Sequence, residues 1–487
     1  MKLPFASHIP SQVNPIVVKE LRQAVRSRFV SAMFLLFLLA QLVGIGIFLA
    51  DDSSHHMRIN YYAGRETFHF LYIALSTTCI TFIPAYAAVR LSIERWDNNM
   101  DLMYITTITP RQIIRGKLLS SMTIAILLLS ASAPFMFFSY ILRGIDIPSI
   151  VTAIIFIILF VTAITQAMIF VACLPTSKVF KIILALATVM ALIWSIVIIN
   201  MVGWEIIFRG AGSRMRSSDF WITCAYIGGG IWLAVGLLQR MAVALISPPT
   251  SNRMLPVRRY IFITWLISGI ATSVYACKEL DEDIMLVWFI PATMFISATL
   301  LFGLGESDKL SLRVKRTIPR GRLARTIAFP FFNGPASSLV FSIILILLST
   351  VLIHLTAELI GPCYSSSFTN AIIGTISFAF YSIAYGLTAL TIWRKFFSRR
   401  LRPAVIGILA ILMIIIGAFL PSVVALITNS GSNWRPAWYV GNIFTVWSWH
   451  RTSQHIIFSA FWAAVMVVIN MKWIGRQFRE FTPTRHE

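Results

Sequence analysis

Residues 149–173, SIVTAIIFIILFVTAITQAMIFVAC, form a run without a single Asp, Glu, Lys or Arg. A helix needs about 20 apolar residues to cross a bilayer, and this run is long enough. The whole chain of 487 residues is 57% hydrophobic and only 12% charged, so its charges are too few to coat a soluble surface. Backbone amides in lipid have no other partners, which makes each such run helical, and the alternation of a membrane barrel is missing. We therefore expect an all-α polytopic integral membrane protein.

Similar runs recur on both sides of this one and predict about 12 transmembrane helices, preceded by an N-terminal interfacial helix. The predicted spans are about 29–50, 67–90, 118–142, 149–173, 180–203, 219–242, 260–277, 284–304, 337–360, 368–393, 403–427 and 454–473. The chain is accordingly divided into a cytoplasmic amphipathic helix (1–28), a six-helix region (29–245), a second six-helix region (260–473) and a cytoplasmic tail (474–487).

The basic residues predict the orientation. Most of the 41 Lys and Arg fall on one side of this topology, which the positive-inside rule makes the cytoplasmic side, with both termini inside. The net charge of +22 sits mainly near span ends, which favours anionic lipids over nucleic acid as its partner. The expected location is a multi-pass position in the inner (cytoplasmic) membrane. Cys277 and Cys363 fall on the predicted outer side, where a disulfide is permitted, but no pattern brings them together.

Asn14-Pro15 is a helix-start signal, with Asn as the cap and Pro at the first helical position. The helix that follows is amphipathic and is expected to lie in the inner headgroup layer. An ordinary basic anchor beside the first span would show the same pattern, so both interpretations stay open. The apolar side carries Val17, Leu21, Ala24, Val25 and Phe29, and the other side carries Lys19, Arg22 and Arg26.

The polar stretch IERWDNNMDLMYITTITPRQIIRGK, residues 93–117, separates the second and third apolar runs. It predicts a short helix over 98–105 and a second helix that begins at Thr109-Pro110. A plain connection between two antiparallel helices needs only about 2 to 8 residues. The length of the stretch and its two helix starts therefore favour a docking element for a cytoplasmic partner over a surface loop without one.

At this point the chain resembles a known family, the permeases of ATP-binding cassette (ABC) transporters of the second exporter class (ABC-2 type). Their N-terminus reads N-P-[apolar]-x-x-K-E-[apolar]-[RK]-x-x-x-R-S-[RK], and after the second span they carry E-R-x-x-x-x-[LM]-[DE]-L-[apolar]-x-x-[ST]-[ST]-x-x-P-x-x-[apolar]-[apolar]-x-G-K. The resemblance covers about residues 1–245. This chain supplies Asn14, Pro15, Lys19, Glu20, Leu21, Arg22, Arg26, Ser27 and Arg28 for the first pattern and Glu94, Arg95, Met100, Asp101, Leu102, Thr106, Thr107, Pro110, Ile113, Ile114, Gly116 and Lys117 for the second.

The resemblance implies that the first helix is an interfacial elbow and that residues 94–117 contain the coupling helix on which a separate ATPase subunit sits. This chain has no Walker A pattern, GxxxxGK[ST], so it is not expected to hydrolyse ATP, and no cofactor is expected on it. The elbow residues so assigned are Lys19, Glu20, Arg22 and Arg26. The coupling residues so assigned are Glu94, Arg95, Asp101, Leu102, Pro110, Gly116 and Lys117.

The second six-helix region has two interpretations. Thr317-Ile318-Pro319-Arg320 loosely echoes Thr107-Ile108-Thr109-Pro110-Arg111, which would fit a duplicated permease half. The spacing from the preceding Glu differs, and the Asp-Leu core is missing, so a divergent extension is favoured. Without a true repeat, a homodimer would be needed to present two coupling helices. An ion-coupled secondary transporter and a non-transporting membrane scaffold are the alternative functions.

Overall fold

The computed structural model describes residues 14–54, 63–96, 108–142, 144–174, 178–209, 215, 217–248, 250–308, 310–361, 365–398, 403, 405–427, 440–447 and 452–483. Within these residues the regular structure is entirely helical. The chain divides into two compact units, Met1–Ser247 and Pro248–Glu487, and the boundary falls between the two predicted six-helix regions. The predicted all-α polytopic class is confirmed.

The first unit begins with a short helix, followed by six long ones. Both predicted helix starts are confirmed. The side chain of Asn14 caps the first helix, and Thr109 and Gln112 form a reciprocal capping box where Pro110 opens the fourth. The helices are α1 (Pro15–Arg26), α2 (Arg28–Ser54), α3 (Ala63–Trp96), α4 (Pro110–Ile141), α5 (Ile147–Ala172), α6 (Lys178–Arg209) and α7 (Ser218–Ile246).

The second unit also contains six long helices, with two short ones between its second and third. A 3-10 turn, Phe329–Phe331, follows the second short helix. The helices are α8 (Leu255–Glu279), α9 (Asp283–Gly303), α10 (Leu312–Arg316), α11 (Arg322–Ala328), α12 (Pro335–Ile360), α13 (Ser366–Ile392, continued by the π-helical segment Trp393–Phe397), α14 (Val405–Ile427) and α15 (Thr452–Glu480).

Each of the predicted spans coincides with one long helix. Eleven of these helices are long and apolar enough to cross a membrane by length and composition. In the remaining helix, α14, the described apolar part is shorter, Val405–Leu420, although the helix itself has 23 residues. The prediction of about 12 transmembrane helices is therefore confirmed, and the protein is a multi-pass membrane protein.

The second and fourth long helices form the centre of each unit. In the first unit α3 packs on α2, α4, α5 and α6, while α5 also packs on α4, α6 and α7. Phe68, Leu71, Tyr72 and Leu75 line α3 and are fully buried. The Tyr72 hydroxyl donates to the Ile199 carbonyl of α6 at 3.1 Å, which satisfies its polar atom inside an apolar core.

Several polar side chains within the spans join one helix to another, as expected where lipid offers no hydrogen-bond partners, whereas most Ser and Thr hydroxyls donate to a carbonyl of their own helix, as Ser121 and Thr388 do. The bonds between helices hold them together and do not by themselves indicate a substrate site. Three of them are Gln41 Nε2 to Ser132 Oγ at 2.9 Å (α2 to α4), Ser76 Oγ to Asn200 Oδ1 at 3.0 Å (α3 to α6) and Asn470 Nδ2 to Thr391 Oγ1 at 2.9 Å (α15 to α13).

The last helix extends beyond the end of the predicted span. The last helix runs to Glu480, so the beginning of the predicted tail, residues 474–487, continues the helix. The span was ended where charges begin, but charged residues are good helix formers, and Arg476 pairs with Glu480 at 3.8 Å one turn later. The predicted short helix over 98–105 lies outside the described residues. Cys363, one of the two cysteines for which a disulfide is permitted, also lies outside them, and the other, Cys277, is a free thiol.

Candidate functional site

The elbow helix α1 is fastened to the start of α4 by its capping residue. Asn14 Oδ1 accepts from the Ile16 backbone N–H at 3.1 Å, and Asn14 Nδ2 donates to the Gln112 carbonyl at 2.7 Å. One side chain therefore begins the elbow helix and ties it to a helix almost one hundred residues further along the chain. The Asn-Pro start of the N-terminal motif has a tertiary role as well as a local one.

The protein-facing side of α1 carries a charge. Its buried residues are Ile16, Glu20 and Ala24, which recur every four residues and so lie on one face of the helix. Glu20 is only 5% exposed, and Lys117 of α4 is only 2% exposed. The Lys117 ammonium donates to Glu20 Oε1 at 2.8 Å. Because a buried charge is costly unless paired, this pair requires α1 and α4 to stay together.

Glu94 brings the end of α3 into the same cluster. Its Oε2 lies 2.8 Å from the Lys117 ammonium, and its Oε1 lies 2.8 Å from the Lys19 ammonium. Arg90, one turn earlier on α3, places its Nε 4.0 Å from Glu20 Oε2. We call Lys19, Glu20, Arg90, Glu94 and Lys117 the elbow cluster. It joins three helices, with Lys117 bridging the two carboxylates at its centre.

Gly116 explains how α1 can approach α4 so closely. A Cβ atom built on Gly116 would lie 2.9 Å from both Cβ and Cγ2 of Ile16 and 3.0 Å from Nδ2 of Asn14. These distances are shorter than van der Waals contact allows. The Gly-Lys pair therefore has two physical functions, since the glycine makes room for the elbow helix and the lysine binds its carboxylate.

Replacing Gly116 with Ala is expected to displace α1 and destabilise the first unit by about 1–3 kcal/mol, the usual cost of overpacking. Thermal unfolding in detergent would measure the loss. Gly46→Ala on α2 is the matched control, because its added Cβ meets nothing within 4 Å. An alanine at Gly46 should be neutral or slightly stabilising, since Ala has the higher helix propensity. Equal midpoints for the two variants would contradict the close contact between α1 and α4.

The opposite side of α1 is basic and open. Arg22 and Arg26 are exposed, as the predicted polar face requires. The predicted apolar face is only partly buried, because Ala24 is buried whereas Val25 is 75% exposed. Exposed apolar groups beside basic ones suit a helix that lies among lipid headgroups and acyl chains. Thus one face of α1 packs on the protein, and the other carries basic and apolar side chains that suit contact with an anionic membrane surface.

Most of the sequence-predicted site residues that can be described come together. Glu94 and Lys117 pair with the elbow residues Lys19 and Glu20. Gly116 lies against Ile16 of the elbow helix, so the two motifs form one structural unit. These contacts lie within the chain, and the predicted role of Glu94 and Lys117 in binding an ATPase stays a prediction. Pro110 is partly exposed at the start of α4. The Arg95 side chain, Asp101 and Leu102 lie outside the described residues.

Sequence reasoning missed one member of the cluster and the environment of another. Arg90 lies four residues before Glu94 and therefore on the same face of α3, and this spacing is the signal that could have identified it. Glu20 was assigned to the elbow, but its burial was not foreseen. Its spacing of four residues from both Ile16 and Ala24 was the available indication.

A second buried ion pair occurs in the second unit, after the end of α9. Arg258 of α8 donates to Glu306 Oε1 at 2.7 Å, and the Gly334 backbone N–H donates to Glu306 Oε2 at 2.6 Å. Burial raises the pKa of the Glu306 carboxyl, while the charge of Arg258 and the Gly334 hydrogen bond oppose that rise. Arg258 also donates to the carbonyls of Pro330 and Phe332. The pair therefore fixes the connection between α9 and α12.

Comparisons with protein-family models, curated proteins and solved structures found no match to this chain.

Proposed function

We propose that this protein is the membrane-spanning permease subunit of an ABC exporter, and that a separate ATPase subunit docks on the segment 94–117. The multi-pass helical fold is the architecture that a transporter subunit needs. The two sequence motifs that resemble ABC-2 permeases supply the finer assignment. The lack of a Walker A pattern is consistent with an ATPase on another chain.

The elbow cluster is the observation that carries the proposal. It lies at both ends of the 97–109 connection, because Glu94 belongs to the last turn of α3 and Lys117 to the second turn of α4. Lys117 binds carboxylates from α1 and α3 at 2.8 Å each. A partner that displaced this connection would therefore move α1, α3 and α4 together. That is the mechanical requirement for turning closure of an ATPase into motion of transmembrane helices.

The transported solute is proposed to be apolar or amphipathic. In the described spans, Gln41, Asn200 and Asn470 are engaged in bonds between helices. A proton- or sodium-coupled carrier usually places charged groups along its pathway. The polar residues that the sequence places inside the spans are mainly uncharged amides, which favours ATP-driven transport over ion coupling.

The test is co-purification of the native chain from its host in mild detergent, beside the double variant Asp101→Ala, Leu102→Ala. These two positions lie in the predicted docking segment but outside the elbow cluster, so the variant does not remove the ion pairs that hold the fold. We expect the native chain to retain a Walker-containing ATPase and the variant to lose at least nine tenths of it.

Glu205→Ala is the matched control, because it removes an exposed carboxylate that pairs with Arg209 at 3.1 Å on α6, far along the chain from the docking segment. This variant should retain the ATPase as the native chain does. Failure of the native chain to retain any ATPase across several detergents would contradict the proposed function and favour a carrier or scaffold.

A further inference from the structure

The same pairs of long helices are in contact in the two units. When the six long helices of each unit are numbered by position, α2 to α7 in the first correspond to α8, α9 and α12 to α15 in the second. The pairs in contact in the first unit are first–second, first–third, second–third, second–fourth, second–fifth, third–fourth, third–sixth, fourth–fifth and fourth–sixth. The pairs in contact in the described parts of the second unit are the same nine, although its third–fourth and third–sixth contacts are small.

This agreement is more than the packing of neighbours in sequence. Consecutive helices usually lie side by side, yet the fifth and sixth make no extensive contact in the described parts of either unit. In both units the fifth helix instead packs on the second and fourth, and the sixth packs on the third and fourth. Six helices can form fifteen pairs. It is improbable that two unrelated folds would share the same nine contacting pairs and both lack the fifth–sixth contact.

The details around the second and third helices agree as well. In each unit a carboxylate at or just beyond the end of the second helix is paired with a buried cation: Glu94 with Lys117, and Glu306 with Arg258. In each unit the third helix begins with a proline at its first position, Pro110 or Pro335. The two units differ in the source of the cation, which is the third helix in the first unit and the first helix in the second.

We infer that residues 248–487 are a second copy of the six-helix permease unit, and that the connection 304–334 is its own docking surface, so that one chain binds two ATPase subunits. The inference rests on the proposed function for the identity of the partner. The topology predicted from the sequence places both connections, 97–109 and 304–334, on the cytoplasmic side.

The connection 304–334 exposes apolar and basic side chains of the kind found on protein-binding surfaces. Its short helix α11 has no buried residue, and Leu323 and Ile327, one turn apart, are 81% and 67% exposed. Arg322 is exposed beside them, and Arg325 is half-buried. Arginine is enriched at protein interfaces, and neighbouring exposed apolar side chains indicate a surface that binds a partner.

The two connections differ in charge. Residues 97–109 contain Asp97 and Asp101 and no Lys or Arg, whereas basic residues dominate 304–334. Complementary charge therefore requires an acidic partner surface at the second connection. The two docked subunits contact the chain through differently charged surfaces, which explains why the sequence of the second connection does not match that of the first.

The deciding measurement is the native mass of the complex purified in mild detergent. We expect one chain of 54.8 kDa with two ATPase subunits. Two chains with two ATPase subunits, or one chain with one, would overturn the inference while leaving the proposed function intact. A preparation with no ATPase at all would overturn both, so the two failures are distinguishable.

The double variant Arg322→Glu, Arg325→Glu tests the second docking surface directly. We expect it to fall to one ATPase per chain, while Lys278→Glu, at a side chain that is 74% exposed near the end of α8, keeps two. Bound lipid is quantified in the same samples. Loss of anionic lipid from the double variant with two ATPases retained would show that α11 serves the membrane surface, and would overturn the docking assignment.

Discussion

Replacing Lys117 with methionine is expected to destabilise the first unit by about 3–5 kcal/mol, because it leaves two carboxylates without the cation that both of them bind. Glu20 and Glu94 would then face each other at a site where Glu20 is only 5% exposed. The remaining cations compensate poorly, since Arg90 lies 4.0 Å from Glu20 and Lys19 reaches only Glu94. Thermal unfolding in detergent measures the loss, and increased tryptic cleavage within α1 would locate it.

A triple variant separates lost charge pairing from lost packing. Adding Glu20→Gln and Glu94→Gln to Lys117→Met removes the unpaired charges, and we expect it to restore most of the stability. Lys278→Met, at a side chain that is 74% exposed, controls for the general effect of removing a lysine and should change little. A triple variant as unstable as the single one would mean that Lys117 acts through packing alone.

The fold could be predicted largely from the sequence because the bilayer leaves few options. Uncharged runs such as 149–173 had to become helices, and the starts at Asn14 and Thr109 follow from local capping chemistry. The elbow cluster could not be derived in the same way, because its members come from α1, α3 and α4. Their meeting depends on the close contact at Gly116, which is a property of the tertiary structure.

The similarity of the two units was hidden for a related reason. Helix packing depends on which faces are apolar and small, and many different sequences supply the same faces. The connections carry the recognisable motifs, and they are where the two units differ most in charge and length. Thr317-Ile318-Pro319-Arg320 is therefore only weakly similar to its counterpart in the first unit, while the same pairs of helices are in contact in both units.

In the second unit, Arg258→Met is expected to cost at least as much stability as Lys117→Met costs the first. Arg258 is 4% exposed and donates to Glu306 and to the carbonyls of Pro330, Phe332 and Gly334. Its loss leaves a buried carboxylate and several buried carbonyls without the hydrogen-bond donor that Arg258 provides, which is costly for buried acceptors. The cost is about 3–5 kcal/mol, measured as a lower midpoint of thermal unfolding, together with faster proteolysis within 304–334.

Arg258→Lys distinguishes charge from geometry. Lysine keeps the charge opposite Glu306 but cannot reproduce the planar fork that reaches several acceptors at once. We therefore expect an intermediate stability, with the connection still more open to protease than in the native chain. Arg259→Met is the matched control, because Arg259 is the adjacent arginine and is exposed. Full recovery with lysine would show that charge alone matters at this site, and equal losses at Arg258 and Arg259 would show that the buried network does not stabilise the connection.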